Sequence, residues 1–307
     1  MSVLSTLIVC YLFLGGAGAG AFFWLAILSF LSPRSARLDS ACRRFFPRTL
    51  YRRLFAPSFL VCLATLVLGA LCLAVDLGRF DRILLLFTHP TLSYLSIGTF
   101  ALTLLIICTV FLTVVWLFDA PFVHKVVVRI VEVVGFILSG FVMVYTGLLL
   151  QSIGTALFWG SPFVPTIFVL SSLSTGIALI LGSMFFTGID RSFRTIFVRL
   201  IRVDALVIVA EMLCAGVLVV CAAGDAGYMR AVYDLVQGAY ATIFWVGFVL
   251  CGLAVPFVAE VLFIRRDRRS AAIFVAVLVL VGGFCLRWCV VGAGSPVETV
   301  AHVMLGL

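Results

Sequence analysis

Apolar residues gather along this chain into eight long runs, separated by short gaps that hold most of its charge. The runs lie near 3–31, 57–77, 92–118, 131–150, 163–187, 205–222, 238–263 and 271–293. At a rise of about 1.5 Å per residue, a helix of such a length crosses roughly 30 Å of hydrocarbon. So apolar a run must satisfy its backbone hydrogen bonds within itself, which selects helices. The alternation of a membrane barrel strand is missing. The pattern predicts an all-α integral membrane protein with eight transmembrane helices. The first run is expected to remain a spanning helix: Ala17-Gly18-Ala19 mimics a cleavage site, but the first cation is Arg34, behind the run.

Composition supports that class. Hydrophobic residues make up 64% of the 307 and charged residues 11%, with a mean hydropathy of +1.30. A soluble domain carries roughly 25% charge. A secreted disulfide scaffold and a disordered chain do not fit. A net charge of +8 suggests nucleic acid until the cations are placed. The first gap holds Arg34, Arg37, Arg43, Arg44, Arg48, Arg52 and Arg53. The third holds Lys125 and Arg129, the fifth Arg191, Arg194, Arg199 and Arg202, the seventh Arg265, Arg266, Arg268 and Arg269. Arg79, Arg82, Arg230 and Arg287 lie toward the opposite face. This asymmetry follows the positive-inside rule, so the odd loops are expected in the cytoplasm and both termini outside. No nucleic-acid partner is expected, and membrane lipid is. The stretch Arg43-Arg44-Phe45-Phe46-Pro47-Arg48 is expected to lie on the anionic inner leaflet, or to serve only in setting topology. Short connections favour up-down neighbours.

Few groups could hold a redox centre. His89 and His302 are placed in outer segments and His124 in an inner loop, so no two face each other within the membrane for a haem. The ten cysteines show no CxxC and no zinc or iron–sulfur spacing, and read as small packing residues. No metal site and no haem are expected. The run Leu14 to Ala21 is rich in glycine but sits inside an apolar helix, not between strand and helix. Gly16 and Gly20 form a GxxxG, read either as a helix-packing contact or as a face open to a flat ligand.

Polar residues within spans carry more information, because each costs free energy to place there. Tyr11, Asp76, Tyr145 and Arg287 fall at similar outward depths, on the order of 8–12 Å for the two tyrosines at 1.5 Å per residue. They either line a cavity opening outward or form an interfacial belt with an Asp76–Arg79 surface pair. On the inner side, Glu132, Asp204 and Glu260 stand beside Arg129, Arg202 and Arg265, which suggests ordinary ion pairing. Glu211 has no cation within a turn of its helix. It is expected to be protonated or paired with another helix, and is the first candidate for a proton relay. Arg287 is the second.

Five strings occur in an order shared with a known family. They are Tyr-Leu-Phe-Leu-Gly-Gly-Ala-Gly-Ala-Gly-Ala-Phe at 11–22, Asp-Leu-Gly-Arg at 76–79, Tyr-Thr-Gly-Leu-Leu-Leu at 145–150, Ser-Ser-Leu-Ser-Thr-Gly at 171–176 and Leu-Arg-Trp-Cys-Val-Val-Gly-Ala-Gly at 286–294. Together they resemble the polysulfide-reductase/NrfD-type membrane anchor family over essentially the whole chain. Phe80 stands where that family usually carries Pro. The resemblance implies two four-helix bundles, 1–150 with the candidate quinone pocket and 151–307. It implies a haem-free, quinone-reactive subunit of a respiratory oxidoreductase complex in the cell membrane. This chain would hold no iron–sulfur cluster. Its implied partners are a ferredoxin-like iron–sulfur subunit and a molybdopterin catalytic subunit on the outer face. Tyr145 and Asp76 match positions associated with the family's quinol pocket, and Tyr11 falls where some members carry a polar side chain. A menaquinone-type quinol is the implied ligand. A phenol and a carboxylate can hydrogen-bond the two quinol oxygens and take up protons. The alternative is an ion-coupled secondary transporter, against which the scarcity of prolines within spans counts.

Overall fold

A computed structural model describes residues 6–31, 48–76, 94–118, 124–153, 157–187, 194–223, 226–263 and 269–294. Among the described residues every regular element is a helix. The spanning helices are α1 (Thr6–Leu31), α2 (Arg48–Asp76), α3 (Tyr94–Phe118), α4 (Lys125–Ile153), α5 (Phe163–Thr187) and α6 (Arg194–Ala223). A short α7 (Ala226–Val236) follows. The last two spans are α8, a π-helix over Ile243–Ala254 continuing as an α-helix over Val255–Phe263, and α9 (Arg269–Ala293). All eight spans are long and apolar enough to cross a membrane.

Several helices start earlier than the apolar runs indicate. α2 begins at Arg48 rather than 57 and carries Pro57 within it. α4 begins at Lys125 and α6 at Arg194. Arg52, Arg53, Arg129, Arg199 and Arg202 therefore sit on helix extensions rather than in loops. A helix has no reason to end where the hydrocarbon does, because its backbone bonds are equally satisfied in water. The stretch Arg43 to Pro47, His89 and His302 lie outside the described residues.

α1 and α5 form the centre. Of the most apolar stretch of each, 61% and 67% is buried, against 28% in α6. α1 packs on α2, α4 and α5; α5 packs on α1, α6 and α9; α8 lies on α9. Small residues allow the α1–α5 approach. A Cβ on Gly20 would overlap the Ser172 carbonyl oxygen, and one on Gly176 would overlap the backbone of Gly20 and Ala21. The GxxxG of α1 is thus a packing contact, and the open-face reading of Gly16 and Gly20 is corrected: Ser172 and Arg287 fill the space beside Gly16. Trp24 Nε1 reinforces the seam by donating to the Leu173 carbonyl at 3.1 Å.

The opposite ends of α1 meet opposite ends of α4. Tyr11, near the start of α1, adjoins Tyr145, near the end of α4. Ser29, near the end of α1, donates to Glu132 Oε1 at 2.5 Å near the start of α4. The two helices are antiparallel. Glu132 also pairs with Arg129 at 3.2 Å, as expected, and the Arg129 guanidinium lies 4.0 Å above the Phe30 ring.

Two features were not expected. α7 is strongly amphipathic, burying Ala231, Val232 and Leu235 while Met229 and Tyr233 stay exposed. Its eleven residues are too short to span. The π-helical start of α8 buries Phe244, Phe248, Gly252 and Leu253. Pro256 follows immediately. Proline lacks an N–H and its ring clashes with the carbonyl four residues back. Wider winding just before it relieves that crowding, and Gly252 against Gly282 keeps α8 close to α9.

Candidate functional site

Tyr11 and Tyr145 converge where α1 and α4 meet at one end of the spans. Both are buried, 1% and 2% exposed. Their hydroxyls are neighbours, yet neither makes a well-formed hydrogen bond. Buried polar atoms without partners are uncommon in native proteins. The rings rest on glycine. A Cβ on Gly98 of α3 would overlap the Tyr145 ring, and one on Gly15 would lie 3.6 Å from the Tyr11 ring. Gly69 of α2 packs against Gly15 and Leu14. Asp76 stands seven residues beyond Gly69, two turns along the same face, half-buried at the last residue of α2. Glycine thus lets the helices close around two phenols.

Arg287 reaches the backbone next to that group, at the Leu12 carbonyl, but its head lies in the interior rather than at the outer surface. Depth along α9 matched the tyrosines, but rotation about the helix axis turns its side chain into the interior. It is fully buried. Nε donates to the Leu12 carbonyl at 3.1 Å, and Nη1 to the Gly283 carbonyl at 2.9 Å and the Ser171 hydroxyl at 3.2 Å. Nη2 donates to the Ser172 hydroxyl at 2.8 Å. The rings of Phe13 and Phe168 lie 5.6 and 5.3 Å from the guanidinium carbon. Four donated bonds and two aromatic faces compensate a charge that would otherwise be very costly here.

Glu211 is 3% exposed and finds its cation on another helix. It interacts electrostatically with Arg287, and the Ser171 hydroxyl that accepts from Arg287 hydrogen-bonds the Glu211 carboxyl. The structure therefore joins the two relay candidates through one serine.

Asp204 corrects a second expectation, while Arg265, the cation expected beside Glu260, lies outside the described residues. Neither carboxyl pairs with Arg202 or any other cation among the described residues. Arg202 is only two positions from Asp204, and residues at that spacing point to different sides of a helix. Asp204 and Glu260 are buried and face each other, with Ser174 alongside. Both Glu260 oxygens, Asp204 Oδ1 and the Ser174 hydroxyl lack a well-formed hydrogen bond. Two facing carboxylates offer only acceptors, so a proton between them is needed for a bond. The serines at 171, 172 and 174 were the missed participants. Their signal was present in the string 171–176, whose hydroxyls recur on adjoining faces of one helix.

Among the described residues, no group of three His, Cys, Asp or Glu could hold a metal ion. His124 is exposed at the start of α4. The nine described cysteines are free.

Comparison with known proteins gives whole-length matches. A family model described as "Polysulphide reductase, NrfD" covers residues 2–298. Protein NrfD of Escherichia coli is 27% identical over 309 aligned positions, spanning 94% of this chain and 93% of that protein. The C subunit of the polysulfide reductase of Wolinella succinogenes is 26% identical over 308 positions, with the same coverage of 94% and 93%. A protein NrfD homolog of Haemophilus influenzae is 29% identical over 178 residues, which cover 55% of this chain and 54% of that relative.

Proposed function

The chain belongs to the polysulphide reductase NrfD family and is a multi-pass integral membrane protein, and from that premise we propose that it is the quinone-reactive membrane subunit of a respiratory oxidoreductase complex. The observation that carries this reading is the pair of buried phenol hydroxyls of Tyr11 and Tyr145, which meet each other without a well-formed hydrogen bond and are framed by glycine. A quinol brings a flat ring and two oxygens. The phenols would hydrogen-bond an oxygen, the apolar and glycine surfaces would hold the ring, and Asp76 would accept a proton at the rim. Oxidation of a quinol releases two electrons and two protons. The electrons would pass to a partner subunit's clusters. The ligand proposed is a menaquinone-type quinol. The partners proposed are a ferredoxin-like iron–sulfur protein and a molybdopterin catalytic subunit, docked on the outer face of the cell membrane.

In this reading the basic helix ends face the cytoplasm, both termini and the tyrosine pair face outward, and residues 1–150 and 151–307 form two four-helix bundles. α1 packs on α2 and α4, and α5 on α6 and α9, with the α1–α5 seam joining the two. Glu211 relays protons through the second bundle, toward the carboxyls of Asp204 and Glu260. Arg287 supports it as a fixed positive charge. A guanidinium does not give up its proton in proteins, so it carries none itself.

A second reading, an ion-coupled secondary transporter, draws on the facing carboxyls and the π-helical stretch of α8. One experiment separates the two. The tagged chain is isolated from membranes in mild detergent. Co-isolation of an iron–sulfur protein, with quinol-dependent reduction of its clusters, supports the subunit reading. A chain that isolates alone and carries ion-driven uptake in vesicles refutes it.

A further inference from the structure

The basic end of the fold carries a second constellation, independent of the quinone reading. Arg52 and Arg53 are exposed near the start of α2. The Arg52 guanidinium crosses the seam to α3, where Nη2 donates to the Leu117 carbonyl. That bond fixes one of its donors and leaves others free. Trp116, the residue before Leu117, stacks on Phe55 with ring centroids 4.7 Å apart. Phe55 is three positions from Arg52 and so on the same side of α2. The Trp116 indole N–H is buried and meets no hydrogen-bond partner. Just beyond this point the outer surface of both helices is apolar: Leu60, Val114, Leu117 and Phe118 are 50%, 45%, 38% and 71% exposed. Among the described residues no carboxylate pairs with either arginine.

We infer that the α2–α3 seam at the basic end binds the phosphodiester headgroup of an anionic phospholipid, with the exposed Arg52 and Arg53 reaching its phosphate. Charge complementarity selects the ligand. Two guanidiniums face an oxyanion at the boundary where hydrocarbon meets headgroups, and guanidinium–phosphate contacts are among the stronger hydrogen bonds. The long arginine stems lie along apolar surface while their heads reach the headgroup layer. The exposed apolar strip of Leu60, Val114, Leu117 and Phe118 continues from the cradle and suits acyl chains. A free phosphate would use the cradle but gain nothing from that strip.

The test uses the full chain, purified with whatever subunits accompany it. Native mass spectrometry reads retention of phosphatidylglycerol against phosphatidylcholine supplied in equal amounts. Wild type should retain phosphatidylglycerol preferentially. Arg52→Gln/Arg53→Gln should lower that preference by roughly 30-fold, at about 1 kcal/mol for each cation near an anionic lipid surface. Arg53→Gln alone leaves the Arg52–Leu117 bond intact and should lose about fivefold with an unchanged melting temperature. Equal retention of the two lipids by wild type overturns the inference, and so does an unchanged preference in the double variant. Displacement of phosphatidylglycerol by excess inorganic phosphate would reassign the cradle to free phosphate and also overturn it.

Discussion

Replacing Tyr145 with Phe tests the candidate pocket most directly, because the structure separates its effects on folding and on ligand. The ring is held by packing against Gly98, and Phe preserves it. The hydroxyl is buried without a well-formed hydrogen bond. The Tyr11 hydroxyl beside it makes no well-formed hydrogen bond either, so no formed bond is lost and the variant should fold and insert at wild-type levels. If the hydroxyl bonds a quinol oxygen, its loss costs about 0.5–1.5 kcal/mol, and more where the ligand oxygen is left unpaired. That corresponds to a fall of roughly twofold to twelvefold in quinol turnover. Tyr11→Phe should act similarly. Asp76→Asn should cost more, because it removes a proton acceptor as well as a charge. The assay is oxidation of a quinol analogue by membranes matched for content of this chain. An interfacial tyrosine would tolerate Phe with little change. Wild-type rates in all three variants would refute the pocket, and attention would move to the second half of the chain.

Three further outcomes follow from the same geometry. Glu211→Gln keeps the Ser171 contact but cannot carry a proton, so proton uptake or turnover should drop while assembly survives; unchanged coupling would make Glu211 a packing group only. Gly20→Val places a side chain where the Ser172 carbonyl lies. Overpacking commonly costs about 1–3 kcal/mol, and a clash with backbone sits at or above the upper end; a variant as stable to heat as wild type would contradict the tight α1–α5 crossing. Reporter fusions after Arg53 and Arg269 should report cytoplasm and a C-terminal fusion the outside, and the reverse pattern would invert the orientation and the outward pocket.

The spans were legible because lipid leaves so few alternatives. A run of twenty apolar residues in hydrocarbon has to be a helix, and all eight appear. Their ends were less legible. Arg48 to Pro57 looks like loop because it is charged and contains proline, yet the helix simply continues into water. α7 escaped notice because an amphipathic eleven-residue helix resembles a polar loop when only hydropathy is read. The meeting of Tyr11 with Tyr145 was accessible through depth and direction alone, since α1 and α4 run antiparallel as neighbours. Arg287 with Glu211, and Asp204 with Glu260, needed rotation about each helix axis. Depth alone put Arg287 beside the tyrosines and left Glu211 without a cation.

That same rotation makes Arg287 one of the links between residues 1–150 and 151–307. Its Nε holds the carbonyl of Leu12, one residue from Tyr11, while its Nη1 shares Ser171 with Glu211. A single side chain therefore touches the backbone beside the candidate pocket and the charge environment of the candidate relay. It cannot shuttle a proton. What it can transmit is position and field. A shift of α1 around Tyr11 alters the Leu12 contact, and the guanidinium must then change its distance to Glu211. Lysine could not substitute. A compact ammonium has three donors and no fork, and it could not reach the Leu12 and Gly283 carbonyls and both serine hydroxyls at once. The requirement at this position is for a planar, permanently charged group with donors on several sides. The aromatic faces of Phe13 and Phe168 add to that requirement, since they favour a flat cation between them.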